Sequence, residues 1–298
     1  MFRLLSKESN IFSVPVYIGF LLLIVIAFNI FNFSALYTFS TVLTFAGIAL
    51  GYFCFNTIGL TYQTHLPLFL YTFFIFSFYP GNLDIGIAVA LLTNSFLILI
   101  LTSTNDDFRR KSYLIVGAIL AVNYIFLPAT WPMAIFVILH VMVTSNRIGL
   151  HIFRLIFGIF LIFLGYFSVM YFIGWRSWND AYFPFTGFRF NTGSKQLMYI
   201  LPAALMMVYA VFDHFKHYNK KSPISKFKYS FLLIFFTAQL ITVLLYMGSS
   251  FEFLLLLALP ASIILSRFLR FTKRYWQKEL GLWVIIGCVV AFKLLSFL

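Results

Sequence analysis

The chain has 298 residues, of which 62% are hydrophobic and 10% charged, with 41 phenylalanines and a net charge of +13 at pH 7. One soluble core of this size cannot hide so much apolar surface, so the composition excludes a soluble globular domain and predicts an integral membrane protein. The cationic excess needs no nucleic-acid partner, because lysines and arginines held on one side of a bilayer beside anionic headgroups account for it.

The opening "MFRLLSKESNIFSVPVYIGFLLLIVIAF" pairs a basic start with an apolar run of about 20 residues and has no A-x-A-like cleavage site, so it reads as an uncleaved first span. From there, apolar runs between polar breaks predict eleven helices, over 11–33, 36–56, 62–80, 84–103, 112–127, 131–145, 150–174, 196–213, 229–248, 251–267 and 279–297. At about 1.5 Å per residue, the run 131–145 reaches only about 22 Å of a hydrocarbon core roughly 30 Å thick. Residues 112–145 are therefore either two thin spans or a re-entrant hairpin turning at "LPATWP". No linker, low-complexity tract or repeat interrupts the chain, so residues 1–298 form a single domain. Two prolines inside spans, Pro202 and Pro260, could kink neighbouring helices and open a pocket between them.

Alternation of these helices sorts the cations. With the amino terminus inside, seventeen of the 21 lysines and arginines fall on the cytoplasmic side, and only Arg176, Arg189, Lys195 and Lys293 fall outside. One missed or extra span would scramble that bias, so it supports both the helix number and the orientation, with the carboxy terminus outside. Cys54 and Cys288 lie in apolar runs and behave as small buried hydrophobes, so no disulfide framework or cysteine metal site follows.

Chemistry has few places to reside. The outer carboxylates are Asp84, Asp180 and Glu252, and three of the four outer cations sit in the loop after the seventh helix. Arg176, Arg189 and Lys195 could hold a phosphate or lipid headgroup, with Asp180 or Asp84 as general base, an arrangement suited to a polyprenyl-linked substrate. The competing reading is structural. Trp175, Trp178, Tyr182, Phe183, Phe185, Phe188 and Phe190 would lay the same loop along the membrane interface, its arginines snorkelling to headgroups. Asp84 then serves as a helix cap, and "SSFE" gives Glu252 the capping-box spacing from Ser249. Within the spans, Asn56, Asn94, Asn123, His140 and Gln239 can hydrogen-bond between helices. "DHFKHYNKK" reads as a solvated basic loop in preference to a metal site. No nucleotide, hydrolase or metalloprotease motif is present, and no cofactor or metal is implied.

Three stretches, "LLSKESNIF", "YLIVGAILAVNYIFLPATWPMAIFVIL" and "LALPASIILSRFLRFTKRYWQKELGLW", resemble an uncharacterised family of polytopic inner-membrane proteins from Bacteroidota. The resemblance implies a bacterial inner membrane with a periplasm outside, and it carries no activity and no catalytic residue. Membrane glycosyltransferases that use polyprenyl-phosphate sugars typically carry acids in the first outer loop, whereas "FNFSAL" has none. The arginines of the outer loop are weakly similar to those of O-antigen-polymerase-like proteins, whose loops are larger.

The expected protein is thus an all-α, polytopic bundle of about eleven transmembrane helices, in contact with lipids and with other envelope membrane proteins. Its expected role is that of a non-catalytic subunit or scaffold in envelope assembly, with chemistry on polyprenyl-linked glycans as the alternative. In a chain lacking its native cysteines, Asp180→Cys and Lys220→Cys should react with a membrane-impermeant maleimide from opposite compartments. Labelling of both from one compartment would overturn the alternation.

Overall fold

A computed structural model describes residues 1–10, 12–29, 35–60, 64–103, 105–145, 147–174, 182–186, 188 and 195–295. Among them the chain forms thirteen α-helices and no β-strand: α1 (Phe2–Leu5), α2 (Ser13–Asn29), α3 (Ala35–Ile58), α4 (His65–Phe78), α5 (Ile85–Leu101), α6 (Asp106–Lys111), α7 (Tyr113–Phe126), α8 (Trp131–Thr144), α9 (Ile148–Ile173), α10 (Lys195–Lys216), α11 (Pro223–Tyr246), α12 (Leu255–Phe271) and α13 (Tyr275–Leu295). Each of the eleven apolar runs is helical over most of its length, and the short α1 and α6 are additions. Five stretches, Leu36–Ile58, Ile148–Ile173, Gln196–Lys216, Pro223–Tyr246 and Phe251–Phe271, are long and apolar enough to cross a membrane.

Local chemistry sets the ends. Asn105 caps α6, its side-chain oxygen accepting from the backbone N–H groups of Asp107 and Phe108 at 3.1 Å each. Ser222 caps α11 in the same way, with Pro223 in the first turn where its missing N–H costs nothing. Gly174 ends α9 at φ 74°, the left-handed conformation in which glycine pays no Cβ penalty.

Helices α5 and α12 form the centre. Twelve of the seventeen residues in each are buried. Around them, α3 and α7 cover α5, while α4, α10, α11 and α13 cover α12. The fourteen-residue helices α7 and α8, each about 21 Å long, are joined by the tight turn Pro128–Thr130 and then part company. The first packs chiefly on α5 and α9, and the second on α11.

Polar contacts gather at the two ends of the bundle. At one end the Lys7 carbonyl accepts from the His65 N–H (3.3 Å), Lys228 donates to the Thr57 carbonyl (2.7 Å), and the Arg109 guanidinium lies 4.3 Å from the centre of the Phe227 ring. At the other, Lys293 donates to the Tyr79 carbonyl (2.9 Å) and the Trp131 indole to the Tyr246 hydroxyl (2.8 Å). In the interior the expected interhelical hydrogen bonds are not made. Asn94, Asn123 and Gln239 are buried with both side-chain polar atoms unpaired among the described residues, and Asn56 is exposed. His140 is buried against the rings of Phe227 and Phe231, which fits a packing role.

The crossing of α7 with α9 depends on two glycines. A Cβ placed on Gly117 of α7 would fall on the Leu155 carbonyl of α9, and one on Gly158 of α9 would fall on the Leu114 carbonyl of α7. Gly165, on the same helix, has nothing within 4 Å of its Cβ position. Gly117→Leu and Gly158→Leu should each destabilise the folded chain by about 1–3 kcal/mol or more, read as a lower Tm in detergent, whereas Gly165→Leu should leave Tm unchanged.

Candidate functional site

The segment from Tyr79 to Asp84 links α4 to α5, and its turn passes through positive φ at Gly81 (83°) and Asn82 (42°). Glycine is required at the first of these on two counts, since an added Cβ would also lie 2.8 Å from the Phe28 carbonyl. Side chains from three helices hold the turn. Asn29 of α2 donates to the Tyr79 hydroxyl (2.6 Å) and accepts from the Asn82 N–H (2.9 Å). Ser40 of α3 donates to the Leu83 carbonyl (2.6 Å), and Lys293 of α13 to the Tyr79 carbonyl (2.9 Å). All three are buried, and the Lys293 ammonium also stands 4.4 Å from the centre of the Phe28 ring.

This scaffolding fixes Asp84 at the exposed N-terminus of α5, where its side chain makes no capping bond. Glu252 is close enough to interact with it electrostatically. The expected capping box is not formed, because the turn Phe251–Leu254 starts after Ser250 and no side chain caps it. Asp84 and Glu252, two of the three carboxylates expected on the outer side, thus interact electrostatically, and neither helix start has a side-chain cap. Arg176, Asp180 and Arg189 lie outside the described residues, as does the side chain of Lys195, whose backbone begins α10.

The described part of the aromatic loop is docked through its backbone. The hydroxyl of Tyr124 donates to the Tyr182 carbonyl, and that of Tyr246 to the Pro184 carbonyl (3.3 Å). Tyr182 also shares a hydroxyl–hydroxyl hydrogen bond of 2.6 Å with Tyr166, and its own hydroxyl is pushed up to about 12 by burial and by that neighbour. Phe183, Phe185 and Phe188 remain about half exposed, as rings at an interface would be.

Along the flank of the bundle, α2 and α4 bound a groove of about 810 Å³, within the roughly 300–1,000 Å³ typical of small-molecule sites. Its walls include Phe20, Phe28, Phe69, Phe73 and Phe76, and its lateral rim is Val16, Phe20 and Leu23, each more than half exposed. Polar groups are confined mainly to one end, where Asn10, Ser13 and His65 meet. Neither Pro202 nor Pro260 lines this groove.

A model of one protein family matches residues 1–298. The chain belongs to the family of unknown function DUF6427. No curated protein and no solved structure matches it.

For this family member, sequence reasoning had named Asp84 and counted Glu252 and Lys293 among the outer charges, but it did not assign Asn29, Ser40 or Lys293 to the turn. A lysine in an apolar run is costly unless it finds an acceptor, and that cost was the available signal for Lys293. Asn29 and Ser40 gave no comparable signal. "DHFKHYNKK" also departs from a solvated loop, because His214 is buried and stacks on Tyr229 at a centroid distance of 3.9 Å.

Proposed function

We propose that the protein is a multi-pass protein of the bacterial inner membrane, amino terminus in the cytoplasm and carboxy terminus in the periplasm. It serves envelope assembly as a non-catalytic subunit, and it contributes a binding groove for one lipid or isoprenoid chain. The observation that carries this reading is the phenylalanine-walled groove between α2 and α4, open along one side and polar at one end.

The physics restricts what such a groove can select. Moving a hydrocarbon chain from bilayer to groove yields little hydrophobic free energy, because lipid is already apolar, so retention rests on packing and on polar groups at the ends. Rigid rings supply the packing. Asn10, Ser13 and His65 supply hydrogen-bonding capacity at one mouth. The scaffold part of the reading draws on α9, which has only 6% of its most apolar window buried and leaves a membrane-length apolar face beyond its crossing with α7.

Native mass spectrometry after mild, lipid-preserving extraction should show the chain with a retained lipid and with other envelope proteins. Ala27→Trp, which places a large ring in the groove, should remove the lipid and leave abundance unchanged. Identical lipid retention in this variant would overturn the groove, and recovery of wild type as a lone, stable monomer would overturn the subunit role.

A second reading, an enzyme or carrier acting on polyprenyl-linked glycans at the outer face, is favoured by the electrostatic interaction between Asp84 and Glu252. Membrane vesicles containing the protein should then bind or convert a radiolabelled polyprenyl-phosphate sugar. Asp84→Asn, Glu252→Gln, Asp180→Asn, Arg176→Ala and Arg189→Ala should reduce that signal at least tenfold with insertion intact. Wild-type behaviour of all five would remove this reading.

A further inference from the structure

The groove between α2 and α4 has two unlike ends and a definite length. The helices run side by side in the same direction, because the Tyr17 and His65 rings lie 6.2 Å apart near their starts and the Phe28 and Phe76 rings 6.0 Å apart near their ends. Eleven residues separate the two contacts on each helix, about 17 Å of helical rise. A hydrocarbon core roughly 30 Å thick gives each leaflet about 15 Å. The walls are therefore about one leaflet long.

The far end is closed by rings that are themselves confined. Phe28 meets the Tyr79 ring edge-on at 5.9 Å, and the Lys293 ammonium stands 4.4 Å from the Phe28 centre and 6.0 Å from that of Phe76. The Phe28 carbonyl lies 2.8 Å from the Cβ position of Gly81, so the backbone behind the ring has no room to retreat.

The near end offers donors. Ser13 Oγ donates to Asn10 Oδ1 and accepts from the Asn10 N–H, both at 3.0 Å, which engages the side-chain oxygen of Asn10 and leaves its two Nδ2 hydrogens without a partner among the described residues. The His65 imidazole lines the same end and adds a ring N–H. The amino-terminal segment tied to His65 and Thr64 carries Arg3, Lys7 and Glu8, all exposed, and hence a net positive charge. Donors beside a positive segment are complementary to phosphate oxygens.

Taking the groove as the lipid site proposed above, we infer that its occupant is one phospholipid with an acyl chain of leaflet length. Its phosphate oxygens accept from Asn10 Nδ2 and His65, and its chain lies along the phenylalanine wall and stops against Phe28 and Phe76. This pair gauges chain length. Bilayer and groove are both apolar, so discrimination comes from packing: a chain that is too short leaves the stop without contacts, and one that is too long must bend away from it. A polyprenyl chain longer than a leaflet would have to pass the stop.

The test incubates the full chain in neutral detergent with an equimolar mixture of phosphatidylglycerols that differ only in acyl-chain length, and native mass spectrometry reads which are retained. Wild type should hold a narrow range of lengths. Phe76→Ala, which removes a ring that is 41% exposed, should raise the ratio of longer to shorter retained chains by about tenfold. Phe96→Ala removes a 40% exposed ring away from the groove and should leave the range unchanged. Asn10→Asp keeps an acceptor for Ser13 but loses the Nδ2 donors, and should weaken phosphatidylglycerol retention at least about tenfold while leaving the weaker retention of diacylglycerol as it was. Loss of lipid in Ala27→Trp with an unchanged range in Phe76→Ala overturns the gauge and leaves the groove reading standing. Equal retention of diacylglycerol and phosphatidylglycerol by wild type, or displacement of the phospholipid by a long-chain polyprenyl phosphate, overturns the occupant. Absence of any retained lipid in wild type removes the groove reading and this inference together.

Discussion

Two helices with almost no exposed face set the problem that the rest of the chain solves. α5 and α12 are buried around most of their circumference, and such helices must be covered on nearly all sides by other helices. Covering α12 takes α4, α10, α11 and α13, and covering α5 takes α3 and α7. Apolar coverage has no preferred direction, so something else must fix which helix lies where. In this chain it is fixed by the glycine crossing of α7 with α9 and by hydrogen bonds at the helix ends, such as Ser40 to the Leu83 carbonyl and Lys293 to the Tyr79 carbonyl.

That division explains what could be read from the sequence. Apolar runs broken by polar residues report helix existence directly, and all eleven expected segments are helical, with ends displaced by a few residues. The displacements have local causes. Ser222 and Pro223 begin α11 six residues before the apolar run starts at 229, because a serine cap followed by proline starts a helix regardless of hydropathy. Pairing was not legible, because a run apolar on every side gives no period from which to infer its neighbours. The asparagines and Gln239 were misread for a related reason. A polar side chain in an apolar run announces a need for a partner, but not whether the fold supplies one. Glu252 shows the same limit, since capping-box spacing describes a possibility that the turn starting after Ser250 does not use.

Counting cations by expected side was silent about role. Lys228 and Arg267 are among the seventeen cations expected on the inner side, yet neither is simply solvated. They donate to the Thr57 and Leu60 carbonyls, the first near the C-terminus of α3 and the second just beyond it, where cations are favoured by the helix dipole. Lys278 does the same for the Arg270 carbonyl near the end of α12. A positive charge at a helix C-terminus therefore answers two demands at once, satisfying orphan carbonyls and marking one end of the bundle.

The groove follows from how α2 is held. Its buried residues, Ser13, Leu21, Val25 and Asn29, form a narrow stripe at spacings of four and eight, so the helix touches the bundle along a line instead of a face. Both ends of that line are pinned. At one end the chain just before α2 is tied to the start of α4, where the Lys7 carbonyl accepts from the His65 N–H (3.3 Å), and at the other Asn29 binds Tyr79 and Asn82. Between the pins, Phe69 and Phe73 of α4 stack on each other at 5.7 Å and present a rigid wall. Closing the gap would require either bending α2 between two fixed ends or turning that stacked pair away from its one-turn spacing. A pinned helix beside a stiff aromatic wall thus keeps the groove open without any residue devoted to that purpose, and its dimensions are set by hydrogen bonds at the two ends.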